Sequence, residues 1–391
     1  MYTTRRLSLY MNTPEAISLP PEGPNSGYLV LRDEESTPTY IFGLIKGSSI
    51  NDLPFPQNKR LSIRYKSGVG KNSHTSFDEV YLIPVINQPL SSNRYYAIKA
   101  DGNSKGEVYA SSREQDMGIS CFCIPTIRDV KPRPAFNPHD IYQQFDFSVK
   151  ENFLSGNSFY TKSVAQDGHP PYFLRNKGWH MDSKSLKNLN MGDAQGVDSS
   201  LRAQLPDFMS SQECSKSVVV GKWYCPFMFI KEGRVKDQIK NSLFYVMTLE
   251  QRWERIFTVE RSYGQEKTMT IDIDVVVPTE IVSIAGHQLE AQEITEARGM
   301  VWYKAAETEN PLGVSSLIVE RMMWEEGRVG WVKHKENWIR VVKQEKYQGI
   351  EDWKTYGCYL LVESFVLKRN DGSIVLTYDF RHTHQIRSKW E

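Results

Sequence analysis

The sequence lacks most features that settle a protein's class at a glance. Cysteine is scarce. Cys121, Cys123, Cys214, Cys225 and Cys358 are the only five in 391 residues. The count is odd and the spacing irregular, so no disulfide framework is expected and a reducing compartment suits the chain. Long hydrophobic runs are missing too. None approaches the roughly 18–20 residues of a membrane helix, which argues against a transmembrane segment. Charge of one sign is not in excess: Lys+Arg is 48 and Asp+Glu is 47, a formal net charge of +1. A polyanion partner held by net charge is therefore not expected, and nucleic acid would need a local patch. No Asn-x-Ser/Thr sequon occurs. The opening Met1-Tyr2-Thr3-Thr4-Arg5-Arg6-Leu7-Ser8-Leu9-Tyr10 lacks the apolar stretch of a secretory signal. These absences together point to the cytoplasm, with the nucleus as a second location.

What is present suits a folded protein: 40% hydrophobic and 24% charged residues. The length suggests two or three domains. Tryptophan and proline divide the chain unevenly. Trp179 alone precedes residue 200, and the other eight tryptophans run from Trp223 to Trp390. Fifteen of the 19 prolines lie at or before Pro171. Two independently built regions would produce such a shift. We expect an N-terminal β-rich domain over 1–130, a short helix and polar linker or lid over 131–217, and a C-terminal Trp-rich β domain over 218–391.

The expected fold class is mainly β with minor α, built as two sandwich- or barrel-like domains. In the first part, short β-branched or aromatic runs at 28–31, 40–44, 61–65, 80–85, 95–99, 107–110 and 119–123 are bounded by turn residues. Asn137-Pro138 reads as a helix start, with Ile141 and Phe145 on one face. Residues 155–217 are polar and weakly periodic, which predicts a mobile linker or lid. Further on, a short helix near 234–241 precedes a long strand. Residues 268–277 alternate, with Ile271, Ile273 and Val275 inward and Asp272 and Asp274 outward. Asp371-Gly372 is the strongest hairpin signal, joining strands over 356–368 and 373–387.

Several stretches resemble a known family. They include Leu7-Ser8-Leu9-Tyr10, Pro20-Pro21-Glu22-Gly23-Pro24-Asn25-Ser26-Gly27-Tyr28-Leu29-Val30 and Asp52-Leu53-Pro54-Phe55-Pro56-Gln57-Asn58. Asn87-Gln88-Pro89-Leu90-Ser91-Ser92-Asn93-Arg94-Tyr95-Tyr96 and Met247-Thr248-Leu249-Glu250-Gln251-Arg252-Trp253-Glu254 add to these. So do Glu320-Arg321-Met322-Met323-Trp324-Glu325-Glu326 and Tyr378-Asp379-Phe380-Arg381-His382-Thr383-His384. Together they resemble the plant-specific domain-of-unknown-function family 1262. The resemblance implies a land-plant protein expressed under stress or defence. It carries over no catalytic residue.

No nucleotide, dinucleotide, zinc-protease or nucleophile-elbow motif is present. Gly68-Val69-Gly70-Lys71 fails as a phosphate loop, because Tyr65 and Asn72 stand where Gly and Ser/Thr are required. Cys121-Phe122-Cys123 supplies too few ligands for a structural zinc and reads as core. No cofactor or metal is expected. The best candidate site is the C-terminal hairpin. A two-residue turn at Asp371-Gly372 sets Glu363 opposite Phe380, Leu361 opposite His382 and Tyr359 opposite His384. One face would then carry the acid–base candidates Glu363, His382 and His384 among Tyr359, Phe365, Tyr378 and Phe380. With Arg381, these four aromatics are the ligand-binding candidates. A three-residue turn would instead bring Asp379, Arg381 and Thr383 onto the face of Glu363. The favoured reading of the histidines is two core or half-exposed side chains bonded to Glu363.

Two other patterns are read structurally. Glu320, Glu325 and Glu326 around Trp324 read as a solvated acidic turn. The basic, Trp-bearing stretch 328–347 reads as a core-facing Trp pattern with an exposed basic face rather than a nucleic-acid surface. The leading functional expectation is a non-enzymatic binding protein whose partner is a protein or a small apolar or aromatic ligand. The alternatives are a motif-less isomerase or cyclase using the hairpin residues, and a membrane-active defence protein using a hairpin around Tyr263-Gly264.

Overall fold

The computed structural model describes residues 1–40, 45–68, 73–120, 124–131, 133–151, 157–176, 178–186, 189, 191–209, 212–261, 270–305, 310–334, 336–349 and 352–391. The Cys121-Phe122-Cys123 pair, residues 69–71 of the rejected phosphate loop, and the Tyr263-Gly264 turn lie outside the described residues. Strands dominate, and the described α-helices are five short ones. The expected mainly β class with minor α is what the chain adopts.

Two compact units are formed. The first comprises Met1–Asp193, Pro226–Met228 and Arg234–Leu243. The second comprises Ala194–Cys225, Phe229–Gly233 and Phe244–Glu391. The stretch expected as a separate helix and linker is thus divided between them, and its described parts are built into the two units.

The first unit centres on a seven-stranded sheet. Its spatial order is Ser158–Ser163, Gln144–Lys150, Arg94–Lys99, His74–Pro84, Lys59–Ser67, His180–Ser185 and Ser49–Ile50. Of the expected short strands, those at 61–65, 80–85 and 95–99 are here, lengthened by pairing. The Asn137-Pro138 helix is not. Asp140 caps a single 3-10 turn, Ile141–Gln143, and the chain then enters the strand Gln144–Lys150. Pairing with Arg94–Lys99 and Ser158–Ser163 overrides the local helix signal, and Phe145 is buried in the sheet core. The 107–110 run makes one isolated bridge, at Val108, rather than a strand.

The core of this unit is aromatic. Phe55 packs edge-on against Phe147 at 5.4 Å, Tyr95 against Phe147 at 5.5 Å, and Phe159 stacks on Trp179 at 5.1 Å. Such contacts add about 0.5–1.5 kcal/mol each beyond area burial. A parallel pair, Tyr2–Arg6 with Gly27–Leu31, tightens where Tyr2 crosses Gly27. A Cβ there would sit 2.6 Å from the Tyr2 ring, so only glycine fits.

The second unit is organised by three long strands, Phe244–Glu260, Thr355–Lys368 and Ile374–Trp390. Thr355–Lys368 lies in the middle and pairs antiparallel with both others. Its burial is nearly continuous, as expected for a strand covered on both faces. Val218–Pro226 lies outside Phe244–Glu260, and Glu280–Ile284 outside Ile374–Trp390. The predicted helix near 234–241 is present as Val235–Asn241 in the first unit. The alternating segment forms Thr270–Pro278, with Ile271 and Ile273 buried and Asp272 and Asp274 exposed. Its backbone partner is Trp338–Lys346. In the basic stretch, Trp331 is buried and Trp338 is exposed. The helix Ser316–Gly327 supplies the last element of the site.

A buried charge cluster and its cavity as the candidate functional site

Glu363 interrupts an apolar strand. Every residue of 356–367 is buried, and Glu363 is the single ionisable carboxylate among them. A carboxylate in that position requires charged or hydrogen-bonding partners. Three elements provide them. The neighbouring strand places Gln251 directly opposite, since Gln251 and Glu363 are register partners. The last strand brings His382 beside it, with Leu361 paired to His382 and Glu363 to Phe380. The short helix Ser199–Gln204, capped by the Asp198 side chain, presents Arg202.

The hairpin register agrees with the two-residue-turn arithmetic at Glu363 and Leu361 and departs from it at both ends. Near the turn, Lys368 pairs with Ile374. Beyond Leu361 a bulge intervenes: Leu360 pairs with Ile386, and Tyr359 with Arg387 rather than His384. The bulge removes His384 from the cluster. Its side chain is exposed, with Nε2 3.2 Å from the Val329 carbonyl.

Arg202 holds the centre. Its Nε donates to Glu363 Oε1 at 2.9 Å and its Nη2 to Glu363 Oε2, a fork-to-fork pairing. Nη2 also donates to Glu326 Oε1 at 3.1 Å, and Nη1 to the Glu325 carbonyl at 3.2 Å. His382 Nε2 lies 2.8 Å from Glu326 Oε2 and 3.3 Å from Glu363 Oε2. Gln251 Nε2 donates to Glu363 Oε1 at 2.6 Å and to the Arg202 carbonyl at 3.1 Å. Glu326, Glu363 and His382 are 0–1% exposed.

The acidic turn expected around Trp324 is therefore not solvated. Glu320 is exposed, but Glu325 and Glu326 are buried. On the helix Ser316–Gly327 the buried positions include Ile318, Arg321, Met322, Glu325 and Glu326. That is the i, i+3, i+4, i+7, i+8 stripe of a core-facing helix. Arg321 pairs with Glu325 within the stripe, and Nη1 of Arg328 lies 3.4 Å from Glu325. The available signal was phase: these charges fall in register with Ile318 and Met322. Arg202 offered less, because a six-residue helix is too short to show periodicity.

The electrostatics divide the two acids. Burial raises a carboxyl, and at Glu326 burial together with the Glu363 charge pushes it up to about 8. At Glu363, burial is outweighed by hydrogen bonds from His382 and Arg202 and by the Arg202 charge, so its carboxyl is held far below the usual range. For His382, burial opposes protonation, yet the hydrogen bonds and charges of Glu326 and Glu363 raise it to about 9. Below about pH 8, Arg202 and His382⁺ thus face the ionised Glu363 and a Glu326 pushed toward its neutral form, and Glu326 and His382 titrate as an interacting pair.

Glu326, Glu363 and His382 bring one ligand atom each to within 4.8 Å of one another, a donor set that a metal ion could use. Two features oppose that use. Arg202 donates to both carboxylates and so places a cation where the metal would sit. Metal-bound histidine also normally donates its second ring nitrogen to an acceptor, whereas Nδ1 of His382 is buried with no hydrogen-bond partner.

A cavity of about 250 Å³ adjoins the cluster. Arg202, Gln251, Glu363 and His382 line it on the charged side, and Val197, Leu205 and Leu361 on the apolar side. The other candidates do not line it. Tyr359 is buried against Phe208 and donates to the Met209 and Gln212 carbonyls. Phe365 and Phe380 pack edge-on at 5.8 Å, Tyr378 stacks on Phe380, and the Tyr378 hydroxyl bonds Glu280. Arg381 pairs with Glu254. A second ionic group is formed by Arg252, Ser364 and Asp379, with the Ser364 hydroxyl 2.6 Å from Asp379.

Comparison with known proteins adds the following. The model of a family described as a protein of unknown function (DUF1262) matches residues 22–122. The match lies within the first unit and agrees with the family resemblance read from the sequence. No curated protein matches the chain. A solved structure, described as the crystal structure of Cry35Ab1, is similar with a TM-score of 0.45 and 12% sequence identity, over 86% of this chain and 90% of that one.

Proposed function

We propose that this is a plant stress- or defence-associated binding protein, acting in the cytoplasm or nucleus, and that the cavity beside Glu363 and His382 is its ligand site. The observation that supports this reading is the commitment of the cluster's charged groups. Arg202, Glu326, Glu363 and the Nε2 of His382 are bonded to one another and fixed in place. A group that transfers protons to a substrate needs a free valence toward it. A rigid, internally bonded wall beside a cavity suits recognition instead. An exposed free thiol at Cys214 fits a reducing compartment. No helix among the described residues is long and apolar enough to cross a membrane.

The test is native mass spectrometry of the protein purified from plant tissue, before and after mild denaturation. A small mass retained natively and lost on denaturation is expected. A clean apo mass with a co-purifying protein would overturn the ligand site in favour of an interaction role.

One observation favours a second reading, a motif-less isomerase or cyclase. His382 lies beside the cavity, and its imidazole and the adjoining Glu326 carboxyl are both raised, to about 9 and about 8. Incubation with plant metabolite extract should then consume a compound with the wild type and spare it with Glu363→Gln. Identical extracts would remove this reading.

A further inference from the structure

A cleft of about 540 Å³ lies wholly within the first unit. Asp116, Arg128, Asp129, Lys131, Tyr172 and Arg175 line it. The strand Ile124–Ile127, paired antiparallel with Met117–Ser120, runs straight into Arg128. The acids of the lining are already engaged. Asp129 Oδ1 accepts from the Tyr172 backbone N–H at 2.9 Å and from Arg175 Nη2 at 3.3 Å. Asp116 Oδ2 accepts from the Arg113 backbone N–H at 2.8 Å. Two of the cations are not engaged. Arg128 and Lys131 are exposed, and neither side chain has a hydrogen bond or ion pair among the described residues. Arg128 is nonetheless held in place. A Cβ at Gly118 would sit 2.0 Å from Arg128 Nε and 2.4 Å from its Cζ, so the guanidinium lies across the bare backbone of that strand. On the same lining, Tyr172 is 66% exposed.

We infer that this cleft binds a phosphate monoester carrying a flat ring, of nucleoside-monophosphate size, with its phosphate on Arg128 and Lys131 and its ring on Tyr172. The site is additional to the cavity beside Glu363, and neither reading rests on the other. A phosphate monoester carries about 1.5 to 2 negative charges at neutral pH and three acceptor oxygens. One such group can satisfy an Arg fork and a Lys point charge together. An exposed aromatic ring is a stacking platform, because every base has a π-face. The volume falls within the range of about 300–1,000 Å³ usual for small-molecule sites.

Other ligands use less of the cleft. The lining holds three cations and two carboxylates, so a cationic ligand would meet the majority charge. The Asp129 charge is offset by Arg175 at 3.3 Å, and Asp78, which feels the Asp129 charge, is not part of the lining. That leaves Arg128 and Lys131 against Asp116, a balance that favours an anion. A monocarboxylate brings one charge to two cations, whereas a phosphate monoester brings nearly two. Inorganic phosphate would leave the Tyr172 ring uncovered. A neutral ring would leave both cations without an acceptor other than water.

The experiment is isothermal titration of the full chain with AMP and UMP, against adenosine, inorganic phosphate and citrate. Three variants locate the site: Arg128→Ala combined with Lys131→Ala, Tyr172→Ala, and Gly118→Ala. The last keeps every charge but drives the Arg128 guanidinium off the strand. Their folds are checked by circular dichroism and melting temperature. We expect saturable binding of a nucleotide, weakened about tenfold or more in the double variant. Tyr172→Ala should weaken it about fivefold or more, and Gly118→Ala should weaken it as well. Nucleotide binding unchanged in the folded double variant would place it elsewhere and overturn the inference. Phosphate or citrate bound as tightly as a nucleotide, or indifference to Tyr172→Ala, would overturn the flat ring. Adenosine bound as tightly as AMP would overturn the phosphate. Binding unchanged in folded Gly118→Ala would overturn the placement of Arg128 on the ligand. No probe bound would overturn the site.

Discussion

The two units are centred on opposite chemistries. In the first, Phe55, Tyr95, Phe147, Phe159 and Trp179 meet in an apolar core. In the second, a guanidinium, two carboxylates, an imidazole and an amide sit beside three long strands, and the acids and imidazole are almost wholly excluded from water. An aromatic core tolerates partial loss, because each contact is small and its neighbours can relax. A buried ion cluster does not, because removing one member leaves its partners charged and dry. The difference teaches where this molecule carries specificity. The apolar core rewards any good packing, whereas the charge cluster is satisfied only when strands, helices and turns arrive in one arrangement.

Substitutions can sharpen or break that contrast. The largest effect is expected from Arg202→Met, which strands Glu363 and Glu326. It should destabilise the protein by about 3–5 kcal/mol in urea unfolding. A loss below about 1 kcal/mol would mean that water reaches the cluster and that the contrast with the aromatic core is false. In the first unit, Leu82→Ala removes a fully buried core side chain. It should cost about 2–5 kcal/mol, with the size set by how far the aromatic rings collapse into the space.

A smaller effect separates the two acids. Glu363 is held ionised by Arg202, so Glu363→Gln should cost about 1.5–3 kcal/mol, the range for hydrogen bonds to charged groups. Glu326 is pushed toward its neutral form, and Glu326→Gln should cost less than about 1 kcal/mol. Equal losses in the two variants would refute the division of roles.

The last prediction concerns pH. His382 is raised from its ordinary 6.5 to about 9, so its stabilisation is complete below about 6.5 and is lost as pH rises through about 9. Glu326 is raised from 4.5 to about 8 and acts in the same direction, because the folded state keeps a proton that the unfolded chain releases. Glu363 acts oppositely: its contribution is present above about 4.5 and is lost on acidification. The melting temperature should therefore fall between pH 6.5 and 9.5, and His382→Gln should flatten that slope. Parallel profiles for the variant and the wild type would exclude His382 as the source.

How much of this was legible beforehand depends on how far apart in the chain the interacting residues lie. The hairpin at Asp371-Gly372, the alternating strand, described from Thr270, and the helix near 234–241 are local patterns, and each appears among the described residues. Glu363 and His382 were singled out because they share a hairpin, and a hairpin is a short-range object. Glu326 was visible only as a charge near a glycine, and its place on the buried stripe of its helix was not drawn from the pattern. Arg202 was hidden in a polar stretch that read as a linker. His384 was included by a register arithmetic that the bulge beyond Leu361 breaks.

The sequence by itself determined the mainly β class, the positions of the long strands and the lone carboxylate on an apolar strand. Those follow from alternation, turn chemistry and burial, each a property of neighbours in the chain. The tertiary structure alone decided which cation meets that carboxylate. Arg202 and Glu363 are 161 residues apart, and Glu326 and His382 are 56 apart. A charged side chain reads as surface until a distant segment arrives to neutralise it, because the cost of burying a charge is set by its partners rather than by its position in the chain.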